Sequence, residues 1–112
     1  MTPTQRIQII IGVPQTHLYP LLDAMAEAGA GALGEYTHCS YFSPGVGRFK
    51  PSAAANPALG DREAVNEVPE VRVETICDRD RVKVVVAAIR RAHPYEEPML
   101  YLLPLLSEAD FE

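Results

Sequence analysis

The sequence holds no tryptophan, two cysteines and three histidines in 112 residues, and it is short of positive charge. Each shortage removes a class of function. Cys39 and Cys77 are too few for a disulfide-stapled scaffold of this length, so free thiols and a cytoplasmic location are expected. Lys and Arg total 10 against 15 Asp and Glu, a net charge of −5. A nucleic-acid partner would require the opposite balance, because phosphates are met by a basic face. The basic residues that do gather, from Arg79 to Arg91, are flanked by acids and read as a solvated helix face. Long apolar runs are missing too. The longest near the start, Ile9 to Ile11 with Val13, is too short for a signal core or a membrane span. Neither nucleic acid nor membrane is expected as a partner.

What is present suits a packed core. Hydrophobic residues make up 47% of a chain whose length falls in the single-domain range of ~100–150 residues, so 1–112 reads as one domain. Arg6 to Val13 is β-branched and bounded by Pro14, which predicts a buried strand. Thr16 is placed to cap a helix running to about Ala28, with Pro20 tolerated in its first turn. Leu18, Leu21, Leu22 and Met25 repeat at i, i+3, i+4, i+7 and give it one apolar face. Gly29 and Gly31 close it. A strand is expected over Glu35–Ser43, a turn at Pro44-Gly45-Val46-Gly47, and a short return strand over Arg48–Pro51. Residues 52–69 have no period and read as a long excursion. Val71–Cys77 alternates as a strand with one wet face. Asp78 or Asp80 then caps a second helix with the stripe Val82, Val85, Val86 and Ile89, ended by Pro94. Met99–Leu106 is a last strand, and the acidic tail Ser107–Glu112 is expected to fray.

The order β-α-β-β-α-β predicts an α+β, ferredoxin-like sandwich, with an extra hairpin and long excursion between strands 2 and 3. Both helices cover one face of an antiparallel sheet. The other face is left bare and partly apolar, which predicts self-association.

Three motifs carry candidate chemistry. Gly29-Ala30-Gly31-Ala32-Leu33-Gly34 matches G-x-G-x-x-G letter for letter, but a helix precedes it and a strand follows. That order sets a negative helix end at the glycines, the reverse of a dinucleotide site. A helix cap is expected, with small residues that admit a ligand or a neighbouring chain closely. His38 and Cys39 are neighbours on a predicted strand and point to opposite faces, so a metal site would need one of them plus His93 or a carboxylate. His93-Pro94-Tyr95-Glu96-Glu97-Pro98 is the densest stretch. A helix dipole and nearby carboxylates favour the charged imidazole, and the cluster would bind a cation, orient a polar ligand or exchange protons. The plainer reading has His93 capping helix carbonyls while two prolines set the turn.

GAGALGEYTHCSYFSPGVGRFKP, the Ala55-Asn56-Pro57 to Gly60 stretch, VRVETIC and AHPYEEP occur in this order along the chain. Together they resemble the PII/CutA-like inserted domain of the Nif-three-like family, from about Ile7 to Pro104. The chain differs from the family's usual pattern at Glu35, at Ala53-Ala54-Ala55 and at Met99-Leu100. The resemblance implies a ferredoxin-like domain akin to the trimeric PII and CutA proteins. It also implies that the family's larger dimetal-binding, hydrolase-like domain is not part of this sequence.

A non-enzymatic regulatory or binding module, a homo-oligomer and specifically a trimer, is therefore expected, with no catalytic residues. Its small-molecule or protein-partner site is expected to draw on Gly29, Gly31, Gly34, Tyr36, Phe49, Asn56, His93, Tyr95, Glu96 and Glu97. The alternative is a divalent metal-ion-binding protein of CutA type, with His93, Glu96 and His38 as ligands and the metal as its cofactor.

Overall fold

A computed structural model describes residues 5–112. Strand β1 (Arg6–Val13) is central. Its Ile7, Ile9, Ile11 and Val13 point to one face and join the core, the period of two that a strand requires. After Pro14 a 3₁₀ turn (Gln15–His17) leads into helix α1 (Leu18–Glu27). Leu18, Leu21 and Met25 are buried there and Leu22 packs beside them, the expected apolar face. Thr16 does not cap this helix. His17 holds the N-cap position without a side-chain bond, and the Thr16 hydroxyl meets the His17 ring instead.

Strand β2 (Tyr41–Phe49) and strand β3 (Asn66–Asp78) follow, then a 3₁₀ turn (Arg79–Arg81), helix α2 (Val82–Ala92) and strand β4 (Leu100–Pro104). All neighbours are antiparallel in the order β2-β3-β1-β4. This is the ferredoxin-like α+β arrangement. On α2 the buried residues are Val85, Ala88 and Ile89, with Val82 and Ala92 packed against the core; Ala88 takes a place expected for Val86. Asp78 occupies the N-cap of the 3₁₀ turn without a side-chain bond. Both helices lie on the face that also receives Val71, Val73 and Cys77 of β3. No helix among the described residues is long and apolar enough to cross a membrane.

The stretch between the helices departs from expectation. Pro44-Gly45-Val46-Gly47 is not a turn: β2 runs straight through it, with Pro44 opposite Val71 and Gly47 opposite Val68. Neither Gly45 nor Gly47 has a positive φ. The expected strand over Glu35–Ser43 instead begins at Tyr41, after His38 at φ 60° and a tight Leu33–Tyr36 bridge. There is accordingly no return strand over Arg48–Pro51. β3 starts at Asn66 and carries Pro69, which leaves 50–65 as the excursion. The reason is local. β1 ends opposite Val71, so Gly45–Phe49 and Asn66–Glu70 form a two-stranded arm in which each strand has a free edge for proline. The arm gives the molecule its length, 52 Å against 26 and 24 Å across. The excursion is tied down by the Asn66 side chain, which binds both backbone groups of Asp61, and by Arg62 donating to the Ala55 carbonyl. The acidic tail does not fray either. Glu108–Phe111 forms a 3₁₀ turn closed by a Ser107–Asp110 capping box.

Candidate functional site

The α2–β4 loop begins with His93, which ends α2 because Pro94 forces it into extended backbone (ψ 134°). The ring turns inward and is buried. Its Nε2 donates to the Gly12 carbonyl of β1 at 2.6 Å, and Nδ1 accepts the Tyr95 backbone N–H at 3.1 Å. A carbonyl can only accept and an N–H can only donate, so these partners select the neutral tautomer. Burial pushes the pKa of His93 down, opposed by the Gly12 bond and reinforced by His17 and Arg90. The charged imidazole expected from the helix dipole is thus corrected: desolvation outweighs the dipole here. The side chain also ties the loop to β1 rather than capping helix carbonyls.

From this anchor the loop reaches the excursion that follows the arm's first strand. The Glu96 carboxylate accepts the backbone N–H of Asn56 at 2.8 Å, and Arg90 donates to the Glu96 carbonyl at 3.3 Å. Tyr95 packs on His93 with ring centroids 4.9 Å apart. Its hydroxyl is buried without any hydrogen-bond partner. Glu97 is exposed, and Phe49 is half-buried at the end of β2.

Glu70 approaches the same strand residue, Gly12, that His93 is bonded to. Val71 and Val73 of β3 face the helices, so Glu70 faces the uncovered side of the sheet. Its carboxyl lies over two glycines. A Cβ on Gly12 would overlap Glu70 Oε1, and one on Gly47 would overlap Oε2. Burial holds the Glu70 carboxyl above its ordinary carboxylate range. Burial and the Glu70 charge together raise the Tyr95 phenol. Sequence reasoning missed Glu70, Gly12 and Gly47. A glycine inside the run Ile9-Ile10-Ile11-Gly12-Val13 was the available signal, since an interior strand glycine marks a close approach.

The remaining candidates lie elsewhere. Gly31 donates to the Ile76 carbonyl, level with Gln8 on β1, whereas His93 is bonded at Gly12. Four residues of strand separate them, roughly 13 Å. One chain therefore does not bring the Gly29–Gly34 turn to the His93 loop. Gly29 (φ 109°) has the Arg81 side chain against it, and Gly31 (φ 80°) has the Cys39 backbone. Only open space surrounds Gly34, and Tyr36 is exposed. His38 and Cys39 line a cleft of about 150 Å³ with Tyr19, Asp23, Ser40 and Thr75. His38 does not join His93 and Glu96, and no three His, Cys, Asp or Glu side chains gather as a metal-binding group among the described residues. Cys39 and Cys77 are free thiols.

No family model matches the chain. It is 40% identical over 103 residues to a GTP cyclohydrolase 1 type 2 homolog of Halalkalibacterium halodurans, covering 92% of this chain and 28% of that protein. The Bacillus subtilis protein of the same name is 37% identical over 98 residues, 88% of this chain and 26% of its own length. Among solved structures, a Bacillus cereus protein related to NIF3 superposes with a TM-score of 0.84 at 33% identity, over 96% of this chain and 27% of that one. The periplasmic divalent cation tolerance protein CutA of Archaeoglobus fulgidus shares the fold at a TM-score of 0.67 and 13% identity, over 95% of this chain and 90% of its own. The chain spans about a quarter of the length of the curated relatives it matches. In sequence and in fold it is similar to one domain of the NIF3-related proteins, a domain with the architecture of CutA.

Proposed function

We propose that this chain is a non-enzymatic binding or regulatory module that acts as a homo-oligomer, a trimer, in the cytoplasm. Its small-molecule or partner site lies where the α2–β4 loop meets the β2–β3 arm. The observation that carries the reading is the Tyr95 hydroxyl, buried without a partner on the loop that His93 ties to Gly12. Buried polar groups are nearly always satisfied, and a gap of this kind at a loop junction is what a ligand or partner fills. Self-association is supported by the uncovered sheet face, where Tyr41 (68% exposed), Tyr101 (56%) and Leu103 (40%) stand open. The trimer follows the resemblance to PII and CutA. The GTP cyclohydrolase name belongs to relatives more than three times as long, and we assign its activity to parts of those proteins outside the matched quarter. The divalent-metal alternative draws on the CutA likeness, but both ring nitrogens of its first ligand, His93, are already bonded.

Native mass spectrometry of the protein as purified, with no ligand added, tests this reading. A trimer carrying extra mass is the expected result. A bare monomer at micromolar concentration would overturn it, and turnover of GTP near neutral pH would overturn the non-enzymatic assignment.

A further inference from the structure

We propose that Glu70 and Tyr95 form a seat for a cationic nitrogen, an ammonium or guanidinium group, which the described residues of this chain do not supply. The proposal rests on reading the loop–arm junction as the binding site and adds the chemistry of what binds there. β3 passes between Gly12 on β1 and Gly47 on β2, and the Glu70 carboxyl lies down over both. Two neighbouring strands thus leave out their side chains beneath one carboxyl group. A half-buried carboxylate is costly without a counter-charge. The one ion pair among the described residues, Arg72–Glu74, sits farther along the same face and leaves Glu70 without a cation.

The second acceptor is the phenol oxygen of Tyr95, out of water and unpartnered, on a ring that packs against His93, which is itself bonded to the Gly12 carbonyl under Glu70. An ammonium brings three donors and a guanidinium five, enough for both carboxylate oxygens and the phenol oxygen together. An anion would meet the charge of Glu70. An apolar group would leave the hydroxyl unpaired. Met99 borders the seat at Gly12, its Cε 3.4 Å from where a Cβ there would stand. Methionine is unbranched and flexible, so it can move aside without disturbing the sheet.

The nitrogen comes either from a free amine or from a Lys or Arg of a second copy of this chain. Both sources are read by titrating methylammonium or L-arginine into the full chain, with sodium chloride in parallel, and following the amide resonances of Gly12, Gly47 and Tyr95. Saturable shifts are expected, weakened ~10-fold or more by Glu70→Gln and ~5-fold by Tyr95→Phe. Glu108→Gln, on the exposed tail, leaves them as in the wild type. Sedimentation then separates the sources. If a second copy supplies the cation, Glu70→Gln weakens self-association and arginine competes with it; if a free amine does, self-association is unchanged. Linear shifts that Glu70→Gln does not alter, with self-association equally unaffected, overturn the proposal and leave a bridging water only. A co-purifying ligand retained by both Glu70→Gln and Tyr95→Phe overturns the cationic seat while sparing the wider reading. Loss of the trimer and of any bound mass in the wild type strikes the wider reading and leaves the titration to judge the seat.

Discussion

Two sets of glycines stand at the two ends of this sheet, and they are glycine for different reasons. Gly29, Gly31 and Gly34 have φ of 109°, 80° and 55° and serve a left-handed path out of α1. Gly12 and Gly47 lie in extended strand, where any residue fits the backbone, and are glycine because the Glu70 carboxyl occupies the space of a side chain. The first set spells a nucleotide fingerprint and does packing. The second spells nothing and holds the candidate site. A motif read as letters marks one end of the molecule; the same residue read by the reason it is needed marks the other.

The sharpest break between the two sets is Gly31→Ala. The backbone angle is strained for alanine, and its Cβ would meet the Cys39 carbonyl oxygen at 2.7 Å and nitrogen at 2.8 Å, atoms that cannot swing away. A loss of roughly 2–3 kcal/mol is expected in urea unfolding. Gly34→Ala, with the same kind of φ but empty surroundings, costs only about 1 kcal/mol. Equal losses at the two positions would mean that backbone angle alone governs this turn.

His93→Ala comes next. It leaves the buried Gly12 carbonyl and the Tyr95 N–H unpaired, at an expected cost of roughly 2 kcal/mol. The wild-type ring also makes stability depend on pH. Its folded pKa lies below the ordinary value of 6.5, so the unfolded chain binds the proton first. The stabilisation is complete above 6.5 and is lost as pH falls through the folded value. Thermal unfolding of His93→Ala against wild type should therefore differ less at acid pH than at neutral pH. A difference that widens at acid pH would place His93 in the charged form after all.

How much of this could be read from residues alone follows the same division. The faces of α1 and α2 were legible because i, i+3, i+4, i+7 spacing is a property of one helix, whatever it packs against. Strand β1 was legible from Ile7, Ile9, Ile11 and Val13 in the same way. The arm was not, because Pro44, Gly45, Gly47 and Pro69 carry turn signals that hold only for strands flanked on both sides. Here each strand of the arm has one neighbour. In the candidate site, the His93–Glu97 loop stood out as a polar stretch set among prolines, and Asn56 came with the family resemblance. Glu70 did not, because its role depends on glycines across two strand boundaries that no local pattern reveals.

Gly47→Ala measures the second set. The displaced atoms are the tip of a flexible side chain, and alanine in extended strand lowers the entropy of the unfolded chain, so stability should change by less than about 1 kcal/mol. The expected effect is on position: the Glu70 carboxyl leaves its seat and its pKa returns toward the ordinary carboxylate value, read by carboxyl-carbon NMR. A large stability loss with an unmoved Glu70 would show that Gly47 serves the strand and not the site.

Glu70→Gln is the mildest change and asks whether the seat costs the fold anything. The folded pKa of Glu70 lies above its ordinary 4.5, so the folded chain binds that proton more readily than the unfolded one. What this group contributes is therefore fully present below 4.5 and lost as pH rises through the folded value. At neutral pH the ionised carboxylate is a burden, and removing it should raise the melting temperature slightly. The gain should shrink as pH falls toward 4.5 and wild-type Glu70 takes up its proton. His93 moves the other way with acid, so the variant should also lose stability more steeply than wild type below pH 6.5. A folded protein that is destabilised by Glu70→Gln at neutral pH would mean that the carboxylate already has its cation within the chain or its assembly. In a trimer, arginine competing with self-association would then identify the second copy as the source.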